Sequence, residues 1–302
     1  MPRDGVLIVD KPPGPTSHDV VAVVRRLARG QRVGHTGTLD PFASGVLPLC
    51  LGRATRLSRF LTARRKRYEG TIRLGTATET YDPEGRVTFE GSVAGIAEDA
   101  IREAARGFLG TRTQIPPAYS ARKVSGLPSY RLAREGKPVA LPPAEITVHG
   151  FTIVSVALPH VAFTIETSPG TYVRSIAHDL GVILGCGAHL ASLRRVASGT
   201  YGLEEAHTLA DIERGAREGS LDALVIPMRD VDIGIPSVTV TPVGENAMGH
   251  GRHLAPEDLL GPPPPAAPAV RVQNEAGELL GVAIPAGPGG AGILRPAVVL
   301  MG

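Results

Sequence analysis

The fifteen residues from 34 to 48, GHTGTLDPFASGVLP, restrict the backbone of this chain more tightly than any other segment. Their three glycines permit positive φ and close backbone approach, while Pro41 disfavours the helical region for Asp40 and removes one hydrogen-bond donor. The segment therefore presents Asp40 in few conformations, beside His35 and two threonines. An Asp-Pro pair in a glycine-rich segment is also typical of an ordinary turn, so this segment alone leaves a plain connection open.

Spacing argues against several common kinds of site. No Lys-Ser or Lys-Thr pair follows the glycines of the segment, so it is not a phosphate-binding P-loop. The two cysteines, Cys50 and Cys186, lie far apart without a Cys-x-x-Cys motif, which indicates neither a disulfide framework nor a zinc site. No dinucleotide-binding fingerprint is present either. These absences agree with a protein that uses no metal and no cofactor but do not by themselves require one.

The sequence also lacks the signals of a membrane or secreted protein. No apolar run approaches the ~20 residues needed to cross a bilayer. The N-terminus lacks the basic-then-apolar pattern of a signal peptide. The 302 residues, 42% apolar and 20% charged, have the composition of a globular protein, and the length favours two domains. We expect a cytoplasmic protein without a membrane partner.

Charge is distributed unevenly along the chain. Residues 1–67 carry 13 Lys or Arg against 4 Asp or Glu, a net charge of +9, whereas residues 68–302 carry 19 against 25, a net charge of −6. A second basic cluster contains Arg112, Arg122, Lys123, Arg131, Arg134 and Lys137. The run from Arg64 to Arg67 would by itself be typical of a solvated face. Next to a nucleic-acid site, it is better interpreted as a track for backbone phosphates.

Hydrophobic spacing predicts a mixture of strands and helices without regular βαβ alternation, which indicates an α+β fold. Thr16 or Ser17 caps a helix, and Asp19 completes a capping box. The expected apolar stripe of this helix is Val20, Val23, Val24 and Leu27. Further helices are expected near Glu98–Phe108 and Val173–Leu184, and strands at Val6–Val9, Ile146–Val156 and Val161–Thr167.

Two regions stand apart from this core. Residues 114–143 hold six prolines and many basic residues, a composition typical either of a disordered surface loop or of an excursion that closes over a ligand. Beyond about residue 235 the pattern changes to short β-branched pieces separated by turns, which predicts a small β-barrel. Its strands are expected at Ser237–Thr241, Ala269–Val272, Leu279–Ile284 and Ala297–Leu300. We therefore place domain boundaries at 1–230 and 236–302.

Six ordered blocks resemble the TruB family of tRNA pseudouridine synthases. Besides the 34–48 segment, they are DKPPGPTS (10–17), Tyr68 with LGTATETYDPEG (74–85), QIPPAYSARKVSGLPSYRLAR (114–134), SPGTYVRSIAHDLG (168–181) and HLASLRRVASG (189–199). Any one block alone would be weak evidence, but six in the family's order make chance similarity very improbable. The resemblance covers roughly the first two hundred residues and is thin past residue 235.

The resemblance implies both a fold and a set of site residues. The fold is a pseudouridine synthase domain with a mixed or antiparallel central sheet and flanking helices, an RNA-gripping insertion at about 114–143, and a C-terminal PUA-like RNA-binding barrel. Asp40 matches the family's nucleophile, Tyr68 the tyrosine that stacks on the target base and assists proton transfer, and Arg174 the ion-pair partner of Asp40. The substrate-binding positions that match are His35, Tyr68, Tyr172, Leu193 and Lys11. Lys11 and Asp82 lie in matching blocks, which also implies that they brace the loop and the Arg174 side chain.

The implied activity is isomerisation of the T-loop uridine at position 55 of tRNA by a monomer without a guide RNA. One alternative is a guide-RNA-dependent synthase subunit, whose class usually carries Lys-rich tails that are absent from this sequence. A second is a non-catalytic RNA-binding or tRNA-folding protein on the same scaffold. A third is an RNA N-glycosylase, which would release free uracil instead of retaining it.

Overall fold

The computed structural model describes residues 4–120, 123–124, 127–129, 141–262, 267–287 and 292–301, with only the backbone of 123–124 and 127–128. The helices of this part are α1 (Ser17–Leu27), α2 (Ser58–Thr62), α3 (Glu98–Arg106), α4 (Val173–Ile183), α5 (Leu209–Glu218) and α6 (Pro242–Gly249). The strands are β1 (Gly5–Lys11), β2 (Val33–His35), β3 (Ser44–Leu51), β4 (Lys66–Leu74), β5 (Thr76–Thr78), β6 (Val87–Glu90), β7 (Gly110–Gln114), β8 (Lys123–Val124), β9 (Leu127–Pro128), β10 (Ala144–Ala157), β11 (His160–Thr167), β12 (Ala188–Ser198), β13 (Tyr201–Gly202), β14 (Ile226–Pro227), β15 (Ser237–Thr239), β16 (Val270–Gln273), β17 (Leu279–Pro285) and β18 (Leu294–Val299).

Most strands in the first two thirds of the chain belong to one large sheet. Its strands follow the order β14-β1-β3-β12-β4-β11-β10-β7, with β2 added beside β3 and β13 beside β12. The pairs are antiparallel except β3 with β12, which is parallel. Helix α4 packs against β12, and α3 against β10. This confirms the expected α+β architecture with a mixed central sheet.

The sequence of β1 explains why its run of apolar residues is unbroken. Side chains alternate between the two faces of a strand, so a strand buried on both sides needs apolar residues at every position. Leu7 and Val9 enter the main core, whereas Val6 and Ile8 enter a second core on the opposite face. Strands and helices therefore cover both faces of the sheet at this point.

Helix α1 begins where the sequence predicts. The Thr16 hydroxyl accepts the backbone N–H of Asp19, and the Asp19 carboxylate accepts the backbone N–H of Thr16, which completes the capping box. The expected apolar stripe is displaced by part of a turn, because Val21 is buried and Val23 only half-buried. The remaining expected helices and strands are also present, with bounds that differ by a few residues.

The C-terminal region forms a separate sheet but shares a core with the rest of the chain. All four expected strands are present in the order β15-β16-β17-β18, with the last running from Leu294 instead of Ala297. Over the described residues this order is open, and the PUA-like barrel stays a prediction. Leu279, Val282 and Leu300 pack in one cluster with Val6 and Leu57. The boundary near residue 236 therefore crosses a continuous hydrophobic core.

The expected insertion at 114–143 is described only at its base. Residues 114–120 and 141–143 lead out of β7 and into β10. Arg122, Arg131, Arg134 and Lys137, which belong to the second basic cluster, lie outside the described residues, so the RNA-gripping role of the insertion stays a prediction. Among the helices that the structure describes, none is long and apolar enough to span a membrane.

Candidate active site

The loop that carries Asp40 is held from behind by a buried lysine. Lys11 is 0% exposed, and its ammonium donates to the carbonyl oxygens of Pro12, Pro15 and Pro41 at 2.9, 2.8 and 3.2 Å. Burial lowers the pKa of Lys11 to about 8, while the Asp40 carboxylate opposes this effect. Lys11 does not line the cavity beside Asp40. The ammonium of Lys11 already donates to three loop carbonyls, so the geometry favours a bracing role for Lys11 over the substrate contact expected from the resemblance.

A glycine in the same loop allows the sheet to close around it. Gly45 has φ of 102°, and a Cβ at this position would lie 2.2 Å from the carbonyl oxygen of Arg195 on β12. Only glycine fits such an approach without moving backbone. Ser17 joins the loop to helix α1, since its hydroxyl donates to the Leu39 carbonyl and accepts the Leu39 N–H. These contacts hold the 34–48 segment in place, as expected from its sequence.

Asp40 and Arg174 form the ion pair that the resemblance implies. Nη2 of Arg174 donates to Oδ1 of Asp40 at 3.1 Å, and Nε lies 2.9 Å from Oδ2. Arg174 occupies the first turn of α4 and is 4% exposed, whereas 32% of the Asp40 side chain remains accessible. The carboxylate therefore faces the cavity while the guanidinium is enclosed.

Three further acceptors hold the guanidinium in place. Nη1 of Arg174 donates to the Thr80 carbonyl at 2.9 Å and to the Asp82 carboxylate at 3.1 Å, and Nη2 donates to the Tyr119 carbonyl at 3.0 Å. Asp82 is itself fixed by the Thr80 hydroxyl and by the N–H of Glu84. The planar fork of arginine matches this arrangement, which a point charge cannot reproduce.

The electrostatic setting of Asp40 combines opposing effects. Burial raises the pKa of Asp40, the positive charge of Arg174 opposes the rise, and the nearby charge of Asp82 adds to it. The ionised form of a carboxyl group with a raised pKa is a better nucleophile than an ordinary carboxylate, because nucleophilicity follows basicity. The pairing with Arg174 keeps that carboxylate oriented.

One cavity, of about 380 Å³, brings together six of the seven residues that the sequence singled out. They are Asp40, Tyr68, Arg174, His35, Tyr172 and Leu193. Tyr68 is 8% exposed on β4, in the middle of the sheet, and Leu193 is 8% exposed on β12. Gln114 fixes the backbone of Tyr172, since its Oε1 accepts the Tyr172 N–H at 2.8 Å and its Nε2 donates to the Tyr172 carbonyl at 3.0 Å.

His35 lies at the end of β2, on the edge of the cavity. Its Nδ1 accepts the backbone N–H of Gly37 at 3.3 Å, and its ring meets the ring of His18 edge to face at 5.2 Å. Burial lowers the pKa of His35, and electrostatic interactions with His18 and Arg195 lower it further. His35 is therefore a neutral imidazole at neutral pH and a support for the loop.

Sequence reasoning missed two cations of the cavity wall, Lys66 and Arg195. Lys66 was grouped with the basic run at 64–67, but it is 5% exposed, and Arg195 is 1% exposed. The available signal was the alternation along β4, where Lys66 and Tyr68 share a face. Arg195 lies directly across from Tyr68 in the β12–β4 register and contacts the Tyr68 hydroxyl. Over the residues that are described, no group of His, Cys, Asp or Glu side chains could hold a metal ion.

Comparisons with known proteins agree with this geometry. A model of the N-terminal domain of TruB family pseudouridylate synthases matches residues 25–173, and a model of the tRNA pseudouridylate synthase B C-terminal domain matches residues 174–231. The tRNA pseudouridine synthase B of Solibacter usitatus is 42% identical over 92% of this chain and 94% of its own length. The corresponding protein of Geotalea uraniireducens is 48% identical over 74% of this chain and 73% of its own length.

Solved structures with the same fold include RNA–protein complexes. A chain from an H/ACA RNP bound to a substrate RNA containing 2′-deoxyuridine superposes with a TM-score of 0.74 and 25% identity, over 99% of this chain and 85% of that chain. A chain from a Cbf5–Nop10–Gar1 complex has a TM-score of 0.75 and 27% identity, over 98% and 85% of the two chains. By its sequence blocks, its fold and these relatives, the chain belongs to the TruB family of pseudouridylate synthases.

Proposed function

We propose that this protein isomerises uridine to pseudouridine in tRNA, at position 55 of the T-loop. The observation that carries the proposal is the Asp40–Arg174 ion pair, which lies in one cavity with Tyr68. The relatives at 42% and 48% identity are named tRNA pseudouridine synthase B, which supports tRNA as the substrate.

The reaction is a rearrangement within one nucleotide. The bond between N1 and C1′ breaks, the uracil turns in place, and C5 bonds to C1′. C5 then loses its proton and N1 gains one, so the product is an isomer of the substrate. In the proposed mechanism Asp40 is the nucleophile, Tyr68 stacks on the base and assists proton transfer, and Arg174 orients the Asp40 carboxylate. His35, Tyr172 and Leu193 form the walls that hold the base. This chemistry needs neither a metal nor a cofactor.

A target base inside a folded loop must leave its stack to reach Asp40, at a cost of a few kcal/mol. The cavity beside Asp40 adjoins a depression lined by Arg64, Arg65, Lys66 and Arg67, and Lys66 belongs to both. Phosphates that bind along this basic surface would offset the cost of extrusion. The insertion at 114–143 and the C-terminal region, as a PUA-like module, are proposed to add further RNA contacts.

We propose that the protein acts as a monomer in the cytoplasm, without a guide RNA. The similarity to chains of H/ACA and Cbf5 complexes favours one alternative, a guide-dependent subunit. The higher identity to the tRNA pseudouridine synthase B proteins favours the proposal.

An unmodified tRNA transcript tests the proposal. The purified protein alone should form pseudouridine at position 55, mapped by chemical modification at every uridine, and a transcript with cytidine 55 should gain none. Absence of product with well-folded protein would contradict the proposed activity. Product that forms only after a guide RNA is added would support the alternative subunit, and release of free uracil would indicate a glycosylase.

A further inference from the structure

Two buried cations in the cavity wall, Arg195 and Lys66, have no role in the proposed chemical steps. Arg195, at 1% exposed, is among the largest fully buried side chains of the described protein, and Lys66 is 5% exposed. Both line the cavity that contains Asp40 and Tyr68. Burying a charged side chain is costly unless hydrogen bonds and an opposite charge compensate for the lost water.

The partners of these cations are neutral. Nε of Arg195 donates to the Val46 carbonyl at 2.6 Å, and Nη2 donates to the Gly37 carbonyl at 3.1 Å. Nζ of Lys66 donates to the carbonyls of Thr62 and Arg64 at 2.5 and 2.7 Å. None of the ion pairs in the described ranges includes either side chain. Arg174, by contrast, contacts two carboxylates.

Within the described residues, both cations keep donors for a further acceptor. A guanidinium has five N–H groups, and the bonds to the Val46 and Gly37 carbonyls use two of them. An ammonium has three, of which Lys66 uses two. The positive charge and the unused donors of both residues thus adjoin the space that a base stacked on Tyr68 would occupy.

The glycine of the catalytic loop leaves room beside both cations. A Cβ on Gly37 would lie 3.6 Å from Nη1 of Arg195 and 3.7 Å from Cε of Lys66, and Gly37 has φ of 142°. The two cations therefore border the loop that carries Asp40. An anion that forms between Tyr68 and this loop would meet both of them.

The reaction itself creates such an anion. If Asp40 attacks C1′, the N1–C1′ electron pair stays on the uracil as the new C1′–O bond forms. If elimination gives a glycal, the same pair stays on the uracil and the proton from C2′ passes to Asp40. If Asp40 attacks C6, the pair of the C5–C6 double bond moves through C4 onto O4. Each route places one negative charge on the base.

Resting on the proposed function, we propose that Arg195 and Lys66 are further catalytic residues, which hydrogen-bond and charge-stabilise the uracil anion. This is the arrangement of an oxyanion hole, in which donors are fixed before charge develops and no water has to reorganise. Lys66 is suited to it at neutral pH, because burial and the charges of Arg195 and Arg64 lower its pKa only to about 8.

The test uses the full chain, with Arg195→Lys and Lys66→Met, and two tRNA transcripts. One transcript contains uridine and the other 5-fluorouridine, whose fluorine withdraws electrons and so stabilises the base anion without help from the protein. The readout is the single-turnover consumption of the target nucleoside at saturating tRNA, followed by nucleoside mass spectrometry. Filter binding gives the Kd, and thermal denaturation checks folding.

We expect Arg195→Lys to slow consumption of uridine by about 10- to 100-fold and Lys66→Met by about tenfold, with the Kd within twofold of wild type. Both defects should shrink at least threefold with 5-fluorouridine. The matched control is Arg194→Lys, next to Arg195 but outside the cavity, with 39% of its side chain exposed and an ion pair to Asp10. Its rate should stay within twofold of wild type.

Other outcomes overturn the inference. Equal defects on both transcripts would show that the cations do not act on the departing base. A raised Kd with an unchanged rate would assign them to a phosphate of the RNA. If Arg195→Lys does not fold, Lys66→Met alone decides. A wild-type protein that forms no pseudouridine in the same assay would refute the proposed function instead, so the two failures are distinguishable.

Discussion

Replacing Arg174 with lysine tests how much of the site depends on geometry as opposed to charge. The guanidinium makes five polar contacts: two with Asp40 and one each with Asp82, Thr80 and Tyr119. A lysine ammonium keeps the charge but has three N–H groups at a single nitrogen, so at least two contacts are lost.

The expected cost follows from the kind of contact that is lost. A hydrogen bond to a charged group contributes about 1.5–3 kcal/mol, and a neutral one about 1 kcal/mol. Losing one of each costs about 2–4 kcal/mol, and each 1.36 kcal/mol changes a rate tenfold, so turnover should fall by roughly 30- to 1,000-fold. Affinity for tRNA should change little, because Arg174 is buried and contributes to no basic surface.

Single-turnover formation of pseudouridine at saturating tRNA is the assay, with the tRNA Kd measured in parallel. The matched control is again Arg194→Lys, whose partly exposed ion pair with Asp10 contributes about 0–1 kcal/mol. A folded Arg174→Lys protein with a rate within twofold of wild type would remove the bidentate pairing from the mechanism. A loss confined to tRNA affinity would contradict the reasoning equally.

Three further predictions follow from the same contacts. Gly45→Ala should lower the melting temperature and the rate, because its Cβ would lie 2.2 Å from the Arg195 carbonyl oxygen. A melting temperature within 1 °C of wild type, which corresponds to about 0.6 kcal/mol for a chain of 302 residues, would contradict this. Truncation before Ser237 should weaken tRNA binding in filter assays. It should also lower thermal stability, because the shared core loses Leu279, Val282 and Leu300. A truncated protein with unchanged stability and Kd would refute both expectations. The single-turnover rate should fall as the pH drops through the raised pKa of Asp40, because only the ionised carboxylate attacks. The rate should also fall as the pH rises through about 8, where Lys11 and Lys66 lose their positive charges. The charged groups near Lys66 are Arg195 and Arg64, whereas at Lys11 the carboxylates of Asp40, Asp19 and Glu84 oppose the effect of Arg195. Lys66→Arg should shift the alkaline decrease of the rate to higher pH, because arginine keeps its charge. If that decrease does not shift, Lys66 does not cause it.

Local signals in the sequence predicted the secondary structure well. The capping box at Thr16 and Asp19 is a short-range pattern, and the chain forms it as expected. The apolar run at Val6–Val9 predicted a buried strand for the same reason, since a short continuous run of apolar residues is also a local signal. The four C-terminal strands were also predictable from short β-branched pieces between turns.

Contacts between distant segments were not predictable from local patterns. The ion pair of Asp40 with Arg174 joins residues 134 positions apart, and only resemblance to a family suggested it. The alternation along β4 puts Lys66 on the same face as Tyr68, but it does not say that this face is buried at Lys66, because that burial depends on β11 and β12 pairing on either side of β4. The core shared across residue 236 likewise depends on how the second sheet packs, which composition does not determine.

The central claim is that Asp40 performs the chemistry, and Asp40→Asn tests it most directly. Asparagine is nearly the same size and can keep the turn, but its amide is a very poor nucleophile and does not pair with Arg174 as a carboxylate does. The measurement is the single-turnover yield of pseudouridine at position 55, with deamidation of the asparagine excluded by mass spectrometry. We expect no detectable product, with the tRNA Kd and the melting temperature close to those of wild type. A yield equal to that of wild type would show that Asp40 is a structural loop residue and would contradict the mechanism.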